Sequence, residues 1–129
     1  MTLVDSAGWI EFFTDGPLAG EYAKYLQKPS DVIVPTIVIY EVYKKIKNEK
    51  SEEAALVAVA TMQNARMVPL TEGLSLLAAD VSLSHKLAMA DAIVYASALQ
   101  ENAELVTSDK DLKDLPRVTY FAMTKKPKE

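Results

Sequence analysis

The chain has 129 residues, of which 50% are hydrophobic and 25% are charged, and its formal net charge is −4. This length and composition are typical of one globular domain with its own hydrophobic core. The acidic balance argues against a protein that coats nucleic acid by bulk electrostatic attraction. The absence of cysteine excludes disulfides and thiolate metal sites, and it favours a reducing compartment such as the cytoplasm.

The predicted elements alternate between short β-rich segments and longer helical ones. In chain order we expect a strand at 1–6, helices at 9–13 and 17–27, a strand at 31–35, helices at 36–50 and 52–65, a strand at 66–70, helices at 71–84 and about 89–101, and strands at 104–108 and 117–121. Pro17 suits the first turn of its helix, and Thr36 is the expected N-cap of the third.

Strands connected through helices of this length imply a parallel sheet that is covered on both faces. We therefore predict an α/β fold, a three-layer α/β/α sandwich with a central parallel sheet of about five strands, over residues 1–122. Residues 123–129, which include "KKPK", are expected to form a basic, flexible tail. The longest aliphatic run, at 54–60, is far shorter than the roughly 20 residues that cross a bilayer, so no membrane association is expected.

Four carboxylates are expected at the carboxyl edge of this sheet, where ligands bind in such folds. Asp5 and Asp109 follow the first and fourth predicted strands. Glu41 lies in the first turns of the helix after the second strand, and Asp91 lies in the first turn of the helix before the fourth strand. Gathered carboxylates repel one another unless a cation neutralises them. Oxygen ligands favour a hard ion, so we predict that a Mg²⁺ or Mn²⁺ ion is shared by these side chains.

Each carboxylate also has a purely structural interpretation. Asp5 and Asp109 would cap the helical segments that follow them, and Asp91, the only charged residue of "LAMADAIVYASAL", would be an N-cap. Glu41 would be an ordinary exposed helical glutamate. The expected gathering of all four at one edge favours the metal site.

Four segments, "LVDSAGWIEFF", "VPTIVIYEVYKK", "MADAIVYASAL" and "LVTSDKDL", resemble in order and spacing the four acidic motifs of PIN domains. The resemblance extends from residue 2 to about 121, and it is greatest to the VapC toxins of VapBC toxin–antitoxin pairs. It implies metal-binding, catalytic roles for Asp5, Glu41, Asp91 and Asp109.

The resemblance also bears on residues beside the four acids. It implies that Ser6 and Thr107 orient the site, and that Asp111 could share the role of Asp109, since the family varies there. Leu112 departs from the pattern, since an aromatic residue often stands at this position.

The function implied by the resemblance is that of a Mg²⁺- or Mn²⁺-dependent endoribonuclease, the toxin of a type II toxin–antitoxin system. Such an enzyme hydrolyses RNA phosphodiester bonds with metal-activated water. The resemblance implies a VapB-type antitoxin as partner, and a homodimer. The alternative is a PIN scaffold that acts mainly as a protein-binding module. Its partner helix would dock in a groove between the early helices, unless most of the residues that would line it belong to the core: Tyr22, Tyr25, Leu26, Tyr40 and Tyr43.

One basic segment, "KKIKNEK" at 44–50, contains four lysines and one glutamate. We expect Lys44, Lys45 and Lys47 to contact RNA phosphates, although a solvated helix face would have the same composition. His85 is the only histidine, and its position near a predicted helix end favours a surface or capping role over catalysis.

Overall fold

A parallel sheet forms the centre of the protein. The structure, a computed structural model, describes residues 1–123, and within them five strands are present: β1 (Thr2–Val4), β2 (Val32–Pro35), β3 (Arg66–Val68), β4 (Glu104–Thr107) and β5 (Val118–Tyr120). All neighbouring strands are parallel, in the order β3-β2-β1-β4-β5. The predicted central parallel sheet of about five strands is confirmed.

Helices connect these strands and cover the sheet. They are α1 (Ser6–Phe13), α2 (Ala19–Leu26), α3 (Thr36–Glu49), α4 (Glu52–Met62), α5 (Glu72–His85) and α6 (Met89–Gln100). Right-handed crossovers on this strand order place α1–α4 on one face and α5 and α6 on the other. The packed pairs agree, since α1 contacts α2 and α3, α3 contacts α4, and α5 contacts α6. The predicted α/β/α sandwich is therefore correct.

The neighbouring strands β1 and β4 are buried on both sides. Leu3 and Val4 of β1 and Leu105 and Val106 of β4 are completely inaccessible to solvent. Val4 lies opposite Val106 in the parallel register, so the residues that follow the two strands emerge side by side. Within residues 1–123, no helix is long and apolar enough to cross a membrane.

Several predicted helix boundaries are wrong by a few residues. Helix α2 begins at Ala19, because Pro17 lies in the turn before it rather than in its first turn. Helix α3 follows β2 without a loop: Pro35 occupies the N-cap position and Thr36 is already helical, so Thr36 is not the cap. Short 3-10 turns at Pro29–Asp31 and Lys110–Leu112 carry no hydrophobic periodicity that would reveal them.

The expected tail at 123–129 lies outside the described residues, apart from Met123. The last described segment is packed against the domain, because the Phe121 ring lies 5.6 Å from the Tyr22 ring and 6.2 Å from the Tyr25 ring, centroid to centroid. Tyr22 is completely buried, whereas Tyr40 is 60% exposed on α3. Tyr22 therefore belongs to the core, and the predicted groove that combined it with Tyr40 is not formed.

Close packing of α1 on α2 depends on Gly8. A Cβ atom at Gly8 would lie 2.4 Å from Cε1 of Tyr22 and 2.6 Å from Cγ1 of Val4, both in the core. Such an approach is too close for any side chain, so α1 contacts its neighbours through bare backbone at this point.

Gly8→Ala is expected to lower the free energy of unfolding. Overpacking of a filled core costs about 1–3 kcal/mol, which exceeds the gain of up to about 1 kcal/mol that alanine brings to a helix. Gly20→Ala in α2 is the matched control, since no atom lies within 4 Å of its added Cβ. Urea unfolding should show opposite signs for the two variants, and equal stabilisation of both would contradict the close packing.

Candidate active site

The carboxylate of Asp5 lies where β1 ends and α1 begins. Its Oδ1 accepts a hydrogen bond from the Ser6 amide at 2.7 Å, and its Oδ2 accepts one from the Thr107 hydroxyl at 2.8 Å. The Asp5 amide donates to the Val106 carbonyl at 3.0 Å, which extends the β1–β4 pairing by one residue. Asp5 is therefore the N-cap of α1, as the structural interpretation predicted, and its side chain is held in one orientation.

The loop after β4 is organised by Thr107. Besides donating to Asp5, the Thr107 hydroxyl accepts a hydrogen bond from the Asp109 amide at 3.0 Å. Oδ1 of Asp109 in turn accepts from the Asp111 amide at 2.9 Å, so Asp109 caps the 3-10 turn Lys110–Leu112. Leu112 is completely buried and anchors this turn in the core. The aliphatic residue at this position is accommodated by packing alone.

Asp91 lies in the first turn of α6, but it is not the N-cap. Ala88 occupies that position, and no side chain caps the helix. The N-cap interpretation of Asp91 is therefore wrong. One carboxylate oxygen each of Asp91, Asp109 and Asp111 lies within 4.8 Å of the other two. Two segments that are separated in sequence thus bring three carboxylates together.

The carboxylates influence one another electrostatically. Burial, the largest cause, acts together with a hydrogen bond to Asp109 and repulsion from Asp109, Asp5 and Asp111 to raise the pKa of Asp91 to about 7. Burial also raises the pKa of Asp5, against the opposing effect of its hydrogen bonds with Thr107 and Ser6. The protonated, neutral forms of these acids are therefore favoured more strongly than in an ordinary exposed carboxylic acid.

Glu41 approaches the same group from α3. It is half-buried rather than exposed, and burial raises its pKa, with a further contribution from Asp5 and an opposing one from the Ser6 hydroxyl. Glu41 and Ser6 line a cavity of about 450 Å³ that also reaches Lys44 and Lys45. All four predicted acids therefore lie in one electrostatically coupled group at the carboxyl edge of the sheet, and Asp111 joins them.

The donor set of this group suits a hard divalent cation. Every side-chain donor is a carboxylate or hydroxyl oxygen, the ligand type that Mg²⁺ and Mn²⁺ prefer. In the described part of the chain, no lysine or arginine forms a salt bridge with any of the acids, so their repulsion is not compensated by the protein. The distances gather Asp91, Asp109 and Asp111 for such an ion. Asp5 and Glu41 interact with this cluster electrostatically, and their roles as ligands stay predictions.

Sequence reasoning missed two buried residues that support the site. The Tyr22 hydroxyl and the Ser108 hydroxyl lie 2.6 Å apart, which ties α2 to the residue before Asp109. Burial raises the pKa of Tyr22 to about 12, so its hydroxyl keeps its proton. A separation of 86 positions in sequence gives no local signal of this contact. His85 is the last residue of α5, and its ring packs edge-on against the Tyr95 ring with the centroids 5.7 Å apart.

Comparisons with known proteins agree with the fold. The PIN domain model matches residues 2–118. The chain therefore belongs to the PIN domain family. No curated protein sequence matches it.

Solved structures with the same fold include several toxins. A toxin–antitoxin complex from Klebsiella pneumoniae is 21% identical, with a TM-score of 0.80, and the alignment covers 95% of this chain and 100% of that one. VapC20 from Mycobacterium tuberculosis, a toxin that cleaves the sarcin–ricin loop, is 18% identical, with a TM-score of 0.70 and coverages of 81% and 85%. VapBC2 from Rickettsia felis, bound to a promoter DNA fragment, is 13% identical, with a TM-score of 0.72 and coverages of 94% and 97%.

Metal-free protein is expected to become more stable as the pH falls from about 8 to about 5. The pKa of Asp91, about 7, lies above its ordinary value of 3.8, so the folded state binds this proton more strongly than the unfolded state does. The resulting stabilisation is lost as the pH rises through about 7. Asp91→Asn removes this contribution, so its melting temperature in EDTA should depend less on pH.

Asp80→Asn, which changes an exposed acid of α5, is the control and should follow the wild type at every pH. Parallel curves for wild type and Asp91→Asn would show that Asp91 does not hold the expected proton.

Proposed function

We propose that this protein is a Mg²⁺- or Mn²⁺-dependent endoribonuclease and the toxin of a type II toxin–antitoxin pair. The observation that carries the proposal is the convergence of uncompensated carboxylates at the strand-end edge, in a chain of the PIN family. A bound divalent cation supplies charge neutralisation and activates water for attack on a phosphodiester.

In this proposal the acids divide into fixed and adaptable ligands. Asp5 is fixed by two hydrogen bonds, from Ser6 and Thr107, so its oxygens keep their direction when an ion binds. Asp91 and Asp109 lie in reach of each other, and a cation would relieve the repulsion between them. Thr107 and Ser6 act as positioning residues, because the Thr107 hydroxyl donates to Asp5 and the Ser6 hydroxyl interacts with Glu41. No side chain here is placed as a nucleophile, and the chemistry requires none.

Purified protein is expected to cut single-stranded RNA internally with Mg²⁺ or Mn²⁺ and to be inactive in EDTA. Asp5→Asn should slow cleavage by about 100-fold or more, because metal catalysis contributes several kcal/mol and about 1.4 kcal/mol corresponds to tenfold in rate. The fold should survive, since asparagine caps a helix as well as aspartate does. Gel analysis of end-labelled RNA measures both effects.

The matched control is again Asp80→Asn, which should cleave at the wild-type rate. A panel of structured and unstructured RNAs that remain intact with either metal would refute the nuclease proposal. Cleavage that persists in EDTA would refute the metal.

Production of the protein alone in a bacterial host is expected to arrest growth, as a toxin of this kind would. Asp5→Asn should relieve the arrest while the amount of soluble protein stays the same, because the substitution removes charge without removing the cap. Growth curves with quantified soluble protein are the measurement. Equal arrest by both forms would show that the arrest does not depend on the acids.

A VapB-type antitoxin, a second copy of the chain and a cytoplasmic location complete the proposal. Large apolar side chains remain exposed on α5 and α6, among them Leu76, Leu83 and Met89 at 64%, 81% and 74% exposure. Surfaces of this kind are common where protein partners bind. The structural neighbours that form toxin–antitoxin complexes support a partner of the same class.

A further inference from the structure

Helix α3 carries two tyrosine–lysine pairs on its solvent-facing side. The Lys44 ammonium lies 5.5 Å from the centroid of the Tyr40 ring and 3.4 Å from its hydroxyl. One turn further, the Lys47 ammonium lies 5.4 Å from the centroid of the Tyr43 ring and 3.3 Å from its hydroxyl. The spacing of four residues within each pair places ring and cation next to each other on the helix.

These pairs line two cavities that adjoin each other. The first, of about 450 Å³, is lined by Ser6, Glu41, Tyr40 and Lys44 among others. The second, of about 690 Å³, is lined by Tyr40, Tyr43, Lys44, Lys47 and Asn48. Tyr40, Lys44 and Asn48 are spaced four residues apart along α3 and line both cavities, so the cavities adjoin along this row of side chains. We call the two cavities together the α3 groove. It leads from the candidate active site along the helix.

The lysines of the α3 groove differ in how their charge is compensated. Lys45 forms a salt bridge with Glu49 at 3.0 Å, and Lys47 forms one with Glu52 at 3.6 Å. Lys44 makes no salt bridge with any residue between 1 and 123. Its charge is therefore available to an anionic ligand. Lys44 and Lys45 both line the cavity that Glu41 borders, and of these two only Lys45 has its charge compensated by a salt bridge.

Tyr40 is the aromatic residue of the groove that solvent reaches most freely. It is 60% exposed, although a ring of this size normally buries part of its surface. An exposed ring beside an uncompensated cation matches a nucleotide, whose base stacks on aromatic rings and whose phosphate attracts lysine.

We infer that the α3 groove binds a single-stranded RNA segment next to the cleaved bond, with Tyr40 stacking on an unpaired base and Lys44 contacting a neighbouring phosphate. This inference rests on the proposed function for the identity of the strand. Tyr40 and Lys44 are positioning residues in this arrangement, and the reacting phosphate lies beyond them at the acids. A duplex would not fit this mode, because its bases are stacked on each other.

Binding of RNA tests the two residues separately from cleavage. The probe is a fluorescein-labelled single-stranded RNA of about ten nucleotides and mixed sequence, titrated by fluorescence anisotropy in EDTA so that it stays intact. Tyr40→Leu should weaken binding by roughly 5- to 100-fold, as expected for the loss of one stacked base. Tyr40→Phe, which keeps the ring, should stay within about twofold of wild type.

The salt dependence distinguishes the two roles. Lys44→Ala should reduce the slope of log K against log salt by about 0.7, the value for one phosphate contact with a single strand. Tyr40→Leu should leave this slope unchanged, because stacking releases no counterions. Lys28→Ala is the control, since Lys28 precedes β2 and lies at the opposite edge of the sheet. It should change neither affinity nor slope, and duplex RNA should compete poorly with the probe.

Three outcomes would overturn the inference. In the first, the wild-type protein does not bind the single strand. In the second, Tyr40→Leu and Lys44→Ala bind it as tightly as the wild type does. In the third, Tyr40→Leu changes the oligomeric state in gel filtration but does not change the RNA affinity. The last result would assign the face to contact between copies of the chain.

Failure of the proposed function gives a different pattern from failure of the groove. If no metal-dependent cleavage is found but Tyr40→Leu and Lys44→Ala weaken binding as expected, the nuclease proposal is wrong and the groove is retained. If cleavage is found and neither variant affects binding, the nuclease proposal is retained and the groove is wrong.

Discussion

The hydroxyl of Thr107 holds together the parts of the protein on which the site depends. It donates to Asp5 and accepts from the Asp109 amide, so one buried group orients the residues that follow β1 and β4. This is possible only because β1 and β4 are parallel neighbours in a register that brings Val4 opposite Val106. The buried sheet therefore determines where the carboxylates point. The contact between the Tyr22 and Ser108 hydroxyls supports the loop after β4. Gly8 allows α1 and α2 to pack closely enough for Tyr22 to make this contact.

The fold places these carboxylates together against their own repulsion. The raised pKa values of Asp5, Glu41 and Asp91 all have burial as their main cause, and neighbouring acids as an additional one. Replacing one of these acids by a neutral side chain would relieve the repulsion and stabilise the fold. Their presence is therefore characteristic of a functional site, where unfavourable interactions are retained. The proposed cation would offset the repulsion. The α3 groove provides the opposite charge beside these acids, because Lys44 lines the same cavity as Glu41.

Much of the fold could be predicted from the sequence, because alternation of short apolar runs with helical periodicity determines a parallel α/β sandwich. The sequence predicts the acids at one edge because Asp5 and Asp109 follow strands and Glu41 and Asp91 lie in the first turns of helices, although their roles remain predictions. Long-range contacts give no such signal, since nothing local reveals that Tyr22 reaches Ser108; the groove prediction for Tyr22 is therefore wrong and its core alternative is correct. The cap of α3 was missed because Pro35 ends the strand and begins the helix at once. The difference between Lys44 and its neighbours depends on Glu49 and Glu52, of which only Glu49 lies at the helical spacing that predicts pairing.

The hydrogen bond between Thr107 and Asp5 joins residues 102 positions apart. During synthesis the amino-terminal segment leaves the ribosome first, and Asp5 then has neither its orienting partner nor the carboxylates of α6 and the β4 loop. Contacts of such high sequence separation form late, because the intervening chain must be made and closed into a loop before they are possible. A nascent chain therefore carries an incomplete site until α6 and the β4 loop have been synthesised and have folded against β1. For a protein proposed to cut RNA, this topology delays a working active site, and so protects the ribosome and message, until that segment has emerged.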